Sequence, residues 1–132
     1  MKGWKQSANG TWSFSSDGHS LSLPPEFELD YEAEEFIGFT GTTPDNEIGW
    51  VAYMSIPIQK VIDTEFSAPD HKVMGVETVS GLDVAEIAPT TPSGRAQARL
   101  RIYLVALTDE ASLIVVGGGE SFAKSFAQQW GT

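Results

Sequence analysis

"AQARLRIYLVALTDEASLIVVGGGESFAKSFAQQW", residues Ala96–Trp130, carries two strand signals, a glycine turn and a helix signal in one run. In its first part Ala98, Leu100, Ile102, Leu104 and Ala106 fall on one side of a period of two. Gln97, Arg99, Arg101 and Tyr103 fall on the other, which predicts a long strand with one inward face. The polar turn Thr108–Ser112 leads to the short apolar run Leu113–Val116, and this spacing predicts an antiparallel hairpin. Beyond the glycines, Phe122, Phe126 and Trp130 recur every four residues with Ala123 and Ala127 beside them, the apolar stripe of an amphipathic helix. A hairpin followed directly by such a helix predicts an α+β fold: a central antiparallel sheet of about five to seven strands with the C-terminal helix packed on it.

The rest of the chain extends the same pattern. Ser20–Leu23 alternates and stops at Pro24-Pro25, which cannot continue a central ladder. Phe36 and its neighbours, and the run from Trp50, are strand signals separated by the turn region Thr40–Gly49. Val76–Ala88 reads as strand, turn at Ser80-Gly81, and strand. Gln59–Phe66 predicts a short helix with Ile62 and Phe66 inward. Residues 1–132 are expected to form one domain, with 1–18 as an N-terminal hairpin extension.

The glycine turn raises the question of phosphate binding. Gly117 and Gly119 fit the first and third positions of a dinucleotide fingerprint, but its sixth position is Phe122. A P-loop needs lysine and then serine or threonine, where this chain has Glu120 and Ser121. A carboxylate at the helix start already occupies the positive end of the helix and repels phosphate. The turn is therefore read as structural, with Glu120 or Ser121 beginning the helix.

Charge narrows the classes of partner. Eighteen acids against 8 bases give a formal net charge of -10, so nucleic acid and anionic membrane are poor partners. There is no cysteine, which removes disulfides, thiol catalysis and thiolate metal sites. No apolar run approaches the roughly 20 residues of a bilayer span. The start, "MKGWKQSANG", lacks the apolar core of a signal peptide, which suits a cytoplasmic protein or an exported domain without its leader.

Candidate chemistry is sparse, and no cofactor or metal is expected. Asp17 and His19 stand together in "SSDGHS", which predicts a tight Asp-Gly hairpin turn. A cleft around that pair would serve a small-ligand site or a hydrolase instead. Both histidines, His19 and His71, are expected as exposed loop residues. Arg99 and Arg101 share a strand face with Tyr103, where cross-strand pairing with Asp83 or Glu86 is expected. Arg95 is the third base in this region. Six acids fall within Glu26–Glu35. In a strand, Phe27, Leu29, Tyr31 and Phe36 would face the core while Glu28, Asp30 and Glu32 form one negative strip, either a solvated surface that keeps the protein soluble or a contact for a basic protein partner. Trp4 and Trp12, on an aromatic hairpin, are further candidates for partner contact.

Two resemblances bear on function. Gly3–Gly18 resembles a single choline-binding cell-wall repeat: Gly3-Trp4, Asn9-Gly10, an aromatic-rich Trp12–Phe14 with Ser13 where an aromatic is usual, and Asp17-Gly18. Neighbouring hairpins build each ligand cage in that family, so one copy implies a hairpin without a cage. The order from Ser15 to Trp130 resembles the PsbP-like α/β/α sandwich superfamily, which includes DcrB-like envelope proteins and secretion-effector chaperones. Gly18–Pro24 matches its opening "G-[FY]-S-L-x-[LY]-P" with His19 at the aromatic place. Val79 and Gly81, with Ala85 displaced by one, match "V-x-G-x-x-A", and Ser125-Phe126 matches its closing helix. Phe27 stands where tryptophan is common, and the segment after the third strand is short. The resemblance implies a sheet covered by helices, no shared catalytic residues, and a non-enzymatic protein-binding, assembly or chaperone-like role.

Overall fold

The computed structural model describes residues 3–66, 69–90 and 101–131. Strands β1 (Trp4–Gln6), β2 (Trp12–Ser16) and β3 (His19–Ser22) form a small antiparallel sheet in the order β1-β2-β3. The larger sheet takes β4 (Glu28–Glu32), β5 (Phe36–Thr42), β6 (Ile48–Met54), β7 (His71–Val79), β8 (Leu82–Pro89), β9 (Ile102–Thr108) and β10 (Ala111–Val116). Helix α1 (Ile58–Glu65) follows β6, and α2 (Gly119–Gly131) follows β10. The fold is α+β, as expected, and the sheet order is β4-β5-β6-β10-β9-β8-β7, antiparallel throughout.

This sheet consists of two meanders, β4-β5-β6 and β7-β8-β9-β10. A single seam joins them, from Ser112 opposite Met54 to Val116 opposite Trp50. The apolar run Leu113–Val115 sits at that seam and is buried on both faces. Ser112, also buried, donates its hydroxyl to the Ile56 carbonyl at 2.9 Å. The polar group in the middle of the sheet is thereby satisfied.

Both faces of the sheet are covered. Val51, Tyr53, Leu113, Val115, Tyr103, Val105 and Val84 pack under α2 and the small sheet. Ala52, Ile114, Leu104, Ile102, Ala85 and Ile87 pack against Val61 of α1, with Ile58, Ile62 and Phe66 alongside. The one-sided β9 of the sequence reading is therefore corrected. Tyr103, Val105 and Leu107 are buried as well as Ile102 and Leu104, because α2 occupies the face that the two arginines had marked as solvent. Residues 91–100, with Arg95, Gln97, Ala98, Arg99 and Leu100, lie outside the described residues.

The stripe on α2 docks as expected, with Phe122, Phe126 and Trp130 buried. Trp130 does most to join the layers. Its indole Nε1 donates to the Leu107 carbonyl at 2.9 Å. Its ring stacks on Phe14, centroids 5.3 Å apart, and on His19 at 5.5 Å. Residues 3–18, expected as an extension, contribute to this same core. Trp4 and Phe14 are buried against Phe39 and Tyr53, and β2 pairs with β3 from Ser13–Ser22 to Ser16–His19.

Trp4 differs from Trp130 in one respect: its indole Nε1 is buried without a hydrogen-bond partner among the described residues. An unsatisfied buried donor costs about 1–3 kcal/mol. Trp4→Phe removes that donor, whereas Trp130→Phe breaks a formed bond. Urea denaturation should therefore show Trp130→Phe as the more destabilising of the two by about 1–2 kcal/mol. Phe126→Ala should cost about 3–5 kcal/mol, and a loss under about 0.5 kcal/mol would mean α2 is not docked on the sheet in solution.

Candidate functional site

The Asp17-Gly18 turn is built as its residues require. Asp17 has φ 52° and Gly18 φ 84°, the paired left-handed residues of a tight two-residue hairpin. His19 follows as the first residue of β3. It is exposed, and its Nδ1 donates to the Trp130 carbonyl at 2.8 Å. That contact holds the turn against the end of α2. His71, half-buried, begins β7 and meets the Phe66 ring edge-on. Both histidines thus begin strands and do not sit in loops. The partner of His19 is a backbone carbonyl, not a carboxylate.

A continuous groove runs around this turn, along the end of the large sheet. Its largest section, about 950 Å³, is lined by Lys5, Phe14, Asp17, Glu32, Glu34 and Tyr53 among others. A second section of about 540 Å³ shares Phe14, Ser16, Asp17, Tyr53 and Ser55 and continues past Asp109 and Glu110. A third, about 470 Å³, passes Asp17 and Asp109 to reach His19, Asp83 and Trp130. The walls therefore carry Asp17, Glu32, Glu34, Asp83, Asp109 and Glu110, against Lys5 and the imidazole of His19. The floor is aromatic. The Tyr53 ring packs on Phe14 at 4.6 Å and is 9% exposed. Its hydroxyl forms no hydrogen bond among the described residues.

The expected acidic strip is corrected. Cross-strand partners share a face of a sheet. Glu28 lies opposite Thr40 and Tyr31 opposite Gly38, on the α1 side. Leu29 lies opposite Phe39 and Glu32 opposite Ile37, on the α2 side. Asp30 is the extra residue of a bulge between them. A bulge inverts the alternation beyond it, so Glu28 and Glu32 point to opposite faces. Leu29 and Tyr31, expected inward, are 41% and 57% exposed because β4 is an edge strand. Phe27 is buried as expected. Of the three acids only Glu32 reaches the groove. Trp4 is a core residue with no surface to offer a partner, and Trp12 is half-buried against Phe39.

The glycine turn has a structural cause. Gly117, Gly118 and Gly119 have φ of 87°, 75° and 77°. A Cβ at Gly117 would sit 2.8 Å from the Ile48 carbonyl oxygen, and one at Gly118 would sit 2.6 Å from the Phe122 ring. The Glu120 carboxylate is held by Lys124 at 2.5 Å, and Lys124 also reaches Glu77 on β7 at 2.7 Å. The hydrogen bonds that Lys124 donates to Glu120 and to Glu77 hold its ammonium well above the usual lysine range.

A smaller cavity, about 190 Å³, lies between β7 and α2 and is lined by Met74, Val76, Glu77, Glu86, Tyr103 and Lys124 among others. Its charges are matched internally. Arg101 lies 3.6 Å from Glu86, and the Tyr103 hydroxyl donates to Glu86 at 3.3 Å. The pairing expected across β8 and β9 is present at Arg101. Among the described residues no group of three or more histidines or carboxylates is placed to hold a metal ion, and no helix is long and apolar enough to cross a membrane. Comparison with protein-family models, with curated proteins and with solved structures gives no match.

Burial, then the Glu86 carboxylate beside it, raises the Tyr103 hydroxyl above the ordinary tyrosine value of 10.0. The fold therefore favours the neutral phenol. The associated stability is fully present below the unfolded-state pKa and is lost as pH rises through the folded value. An ultraviolet titration should show a tyrosine ionising late. Tyr103→Phe should remove that transition and Glu86→Gln should bring it to lower pH; a late transition insensitive to both would place the effect elsewhere.

Proposed function

We propose that this protein is a non-enzymatic binding module, with an assembly or chaperone-like role, that holds a segment of another protein in the groove around the β2–β3 turn. The observation that carries this reading is the groove itself. It is formed at the ends of β2, β6, β9 and β10, and its aromatic floor includes Tyr53, whose solvent-reaching hydroxyl has no protein partner among the described residues. Preformed concavities with an apolar floor and a few polar groups are the usual ground for recognition. The PsbP-like order of elements supports the same class of role, since that resemblance implies assembly and chaperone-like proteins without shared catalytic residues.

Blocking the groove tests the proposal. Ser55 is exposed on its wall, and Lys60 is exposed on α1, away from it. Ser55→Trp should abolish recovery of the specific partner from the native source while leaving the melting temperature unchanged. Lys60→Trp should leave recovery intact. Full recovery with Ser55→Trp would refute the groove as the binding site.

A further inference from the structure

We infer that the groove takes a lysine- or arginine-bearing segment of its protein partner in extended form, an inference that rests on the binding role proposed above. Two independent observations point there. The first is how the carboxylates are distributed. At the small cavity beside β7, Glu77 and Glu120 share Lys124, and Glu86 has Arg101. In the groove, Asp17, Glu34, Asp109 and Glu110 form no ion pair among the described residues. Like charges held along one concavity repel one another in the free protein, and a concave wall carrying six carboxylates against the one lysine, Lys5, concentrates positive charge.

The second observation is the floor. Tyr53 is nine-tenths buried and lines the groove, and its solvent-reaching hydroxyl has no protein partner among the described residues. Beside it Phe14 adds an aromatic surface. Lysine and arginine carry a long apolar stem and a cationic head. The stem suits the Phe14–Tyr53 floor and the head suits the carboxylate walls, where it also lies within range of aromatic faces. Because the three sections adjoin end to end around Asp17, a segment lying along them meets acids repeatedly: Glu34 and Glu32, then Asp17, then Asp109 and Glu110, then Asp83. An extended chain sends alternate side chains to one side, so basic residues at every second position would all face the walls.

Synthetic peptides of equal length, alternating glycine with lysine or arginine, with serine, or with glutamate, test this by calorimetry on the full chain, with spermine as a fourth probe. The basic peptide should bind and the acidic one should not. Its affinity should fall as the screening length drops from about 30 Å at 0.01 M salt to about 8 Å at 0.15 M. The variant Asp17→Asn, Glu34→Gln, Asp109→Asn should lose about tenfold in affinity at low salt. Its substitutions are at exposed positions, and asparagine tolerates the left-handed backbone of Asp17. Glu28→Gln, on the opposite face, should change nothing. Equal binding of the serine peptide, equal binding of spermine, or an unaffected triple variant would each overturn the inference. If the basic peptide fails while Ser55→Trp still blocks recovery of the native partner, the groove stands and only its charge selectivity falls. If Glu28→Gln weakens the peptide and Ser55→Trp has no effect, both fall.

Discussion

Trp130 is the contact on which the molecule's layers depend. It ends the α2 stripe, donates to the backbone of β9, stacks on Phe14 of β2 and on His19 of β3, and receives the His19 imidazole on its own carbonyl. A carbonyl can only accept, so the ring proton of His19 is fixed on Nδ1. Ser22 adds a second tie, donating its backbone N–H to the Gln129 side chain at 2.8 Å. The small sheet therefore sits at a defined height over the large one. The height matters because the β2–β3 turn, Ser16 to His19, forms the rim of the groove.

Much of this architecture was legible in the sequence because period and turn chemistry agreed. Asp17-Gly18, Ser80-Gly81 and the Asp109-Glu110 turn lie where the strands reverse, and the four-residue spacing of Phe122, Phe126 and Trp130 is the face that docks. Two errors share a cause. Alternation says which residues share a face, but not how many faces a neighbour covers, so it puts Tyr103 on the same outward face as the arginines, while α2 buries it. Nor does alternation reveal an extra residue: one bulge at Asp30 separated Glu28 from Glu32.

The groove was harder to see. Its walls come from the β2–β3 turn, the β4–β5 connection, the β9–β10 turn and the β7–β8 turn, far apart in the chain. Only the sheet order brings them to one end. Tyr53 gave no signal, since a tyrosine on an inward-facing strand position reads as core, and its ring is core. The acidic run around Glu26–Glu35 did mark the region, and it reaches the groove at Glu32 and Glu34.

The charge plan separates two kinds of acid. Those near α2 and β8 are matched to Lys124 and Arg101 and brace neighbouring elements. Those at the sheet end line a concavity. A formal charge of -10 on 132 residues is thus not spread evenly in its effect. The seam between the meanders has its own consequence, in time. β6 pairs with β10, and 56 residues of chain, 55–110, lie between the end of β6 at Met54 and the start of β10 at Ala111.

 Residues 55–110 must all be made before that pairing can form.

During synthesis the first meander therefore waits with β6 as an open edge, offering its unpaired backbone to any other strand nearby. It is closed only when residues 111–116 emerge, and it gains its cover on the α2 side only when Trp130 follows. Pairing over such a long separation is slow relative to local hairpins. The nascent chain thus passes through a stage in which a nearly complete half-sheet is exposed on the ribosome, and its vulnerability to misassembly is concentrated in that interval.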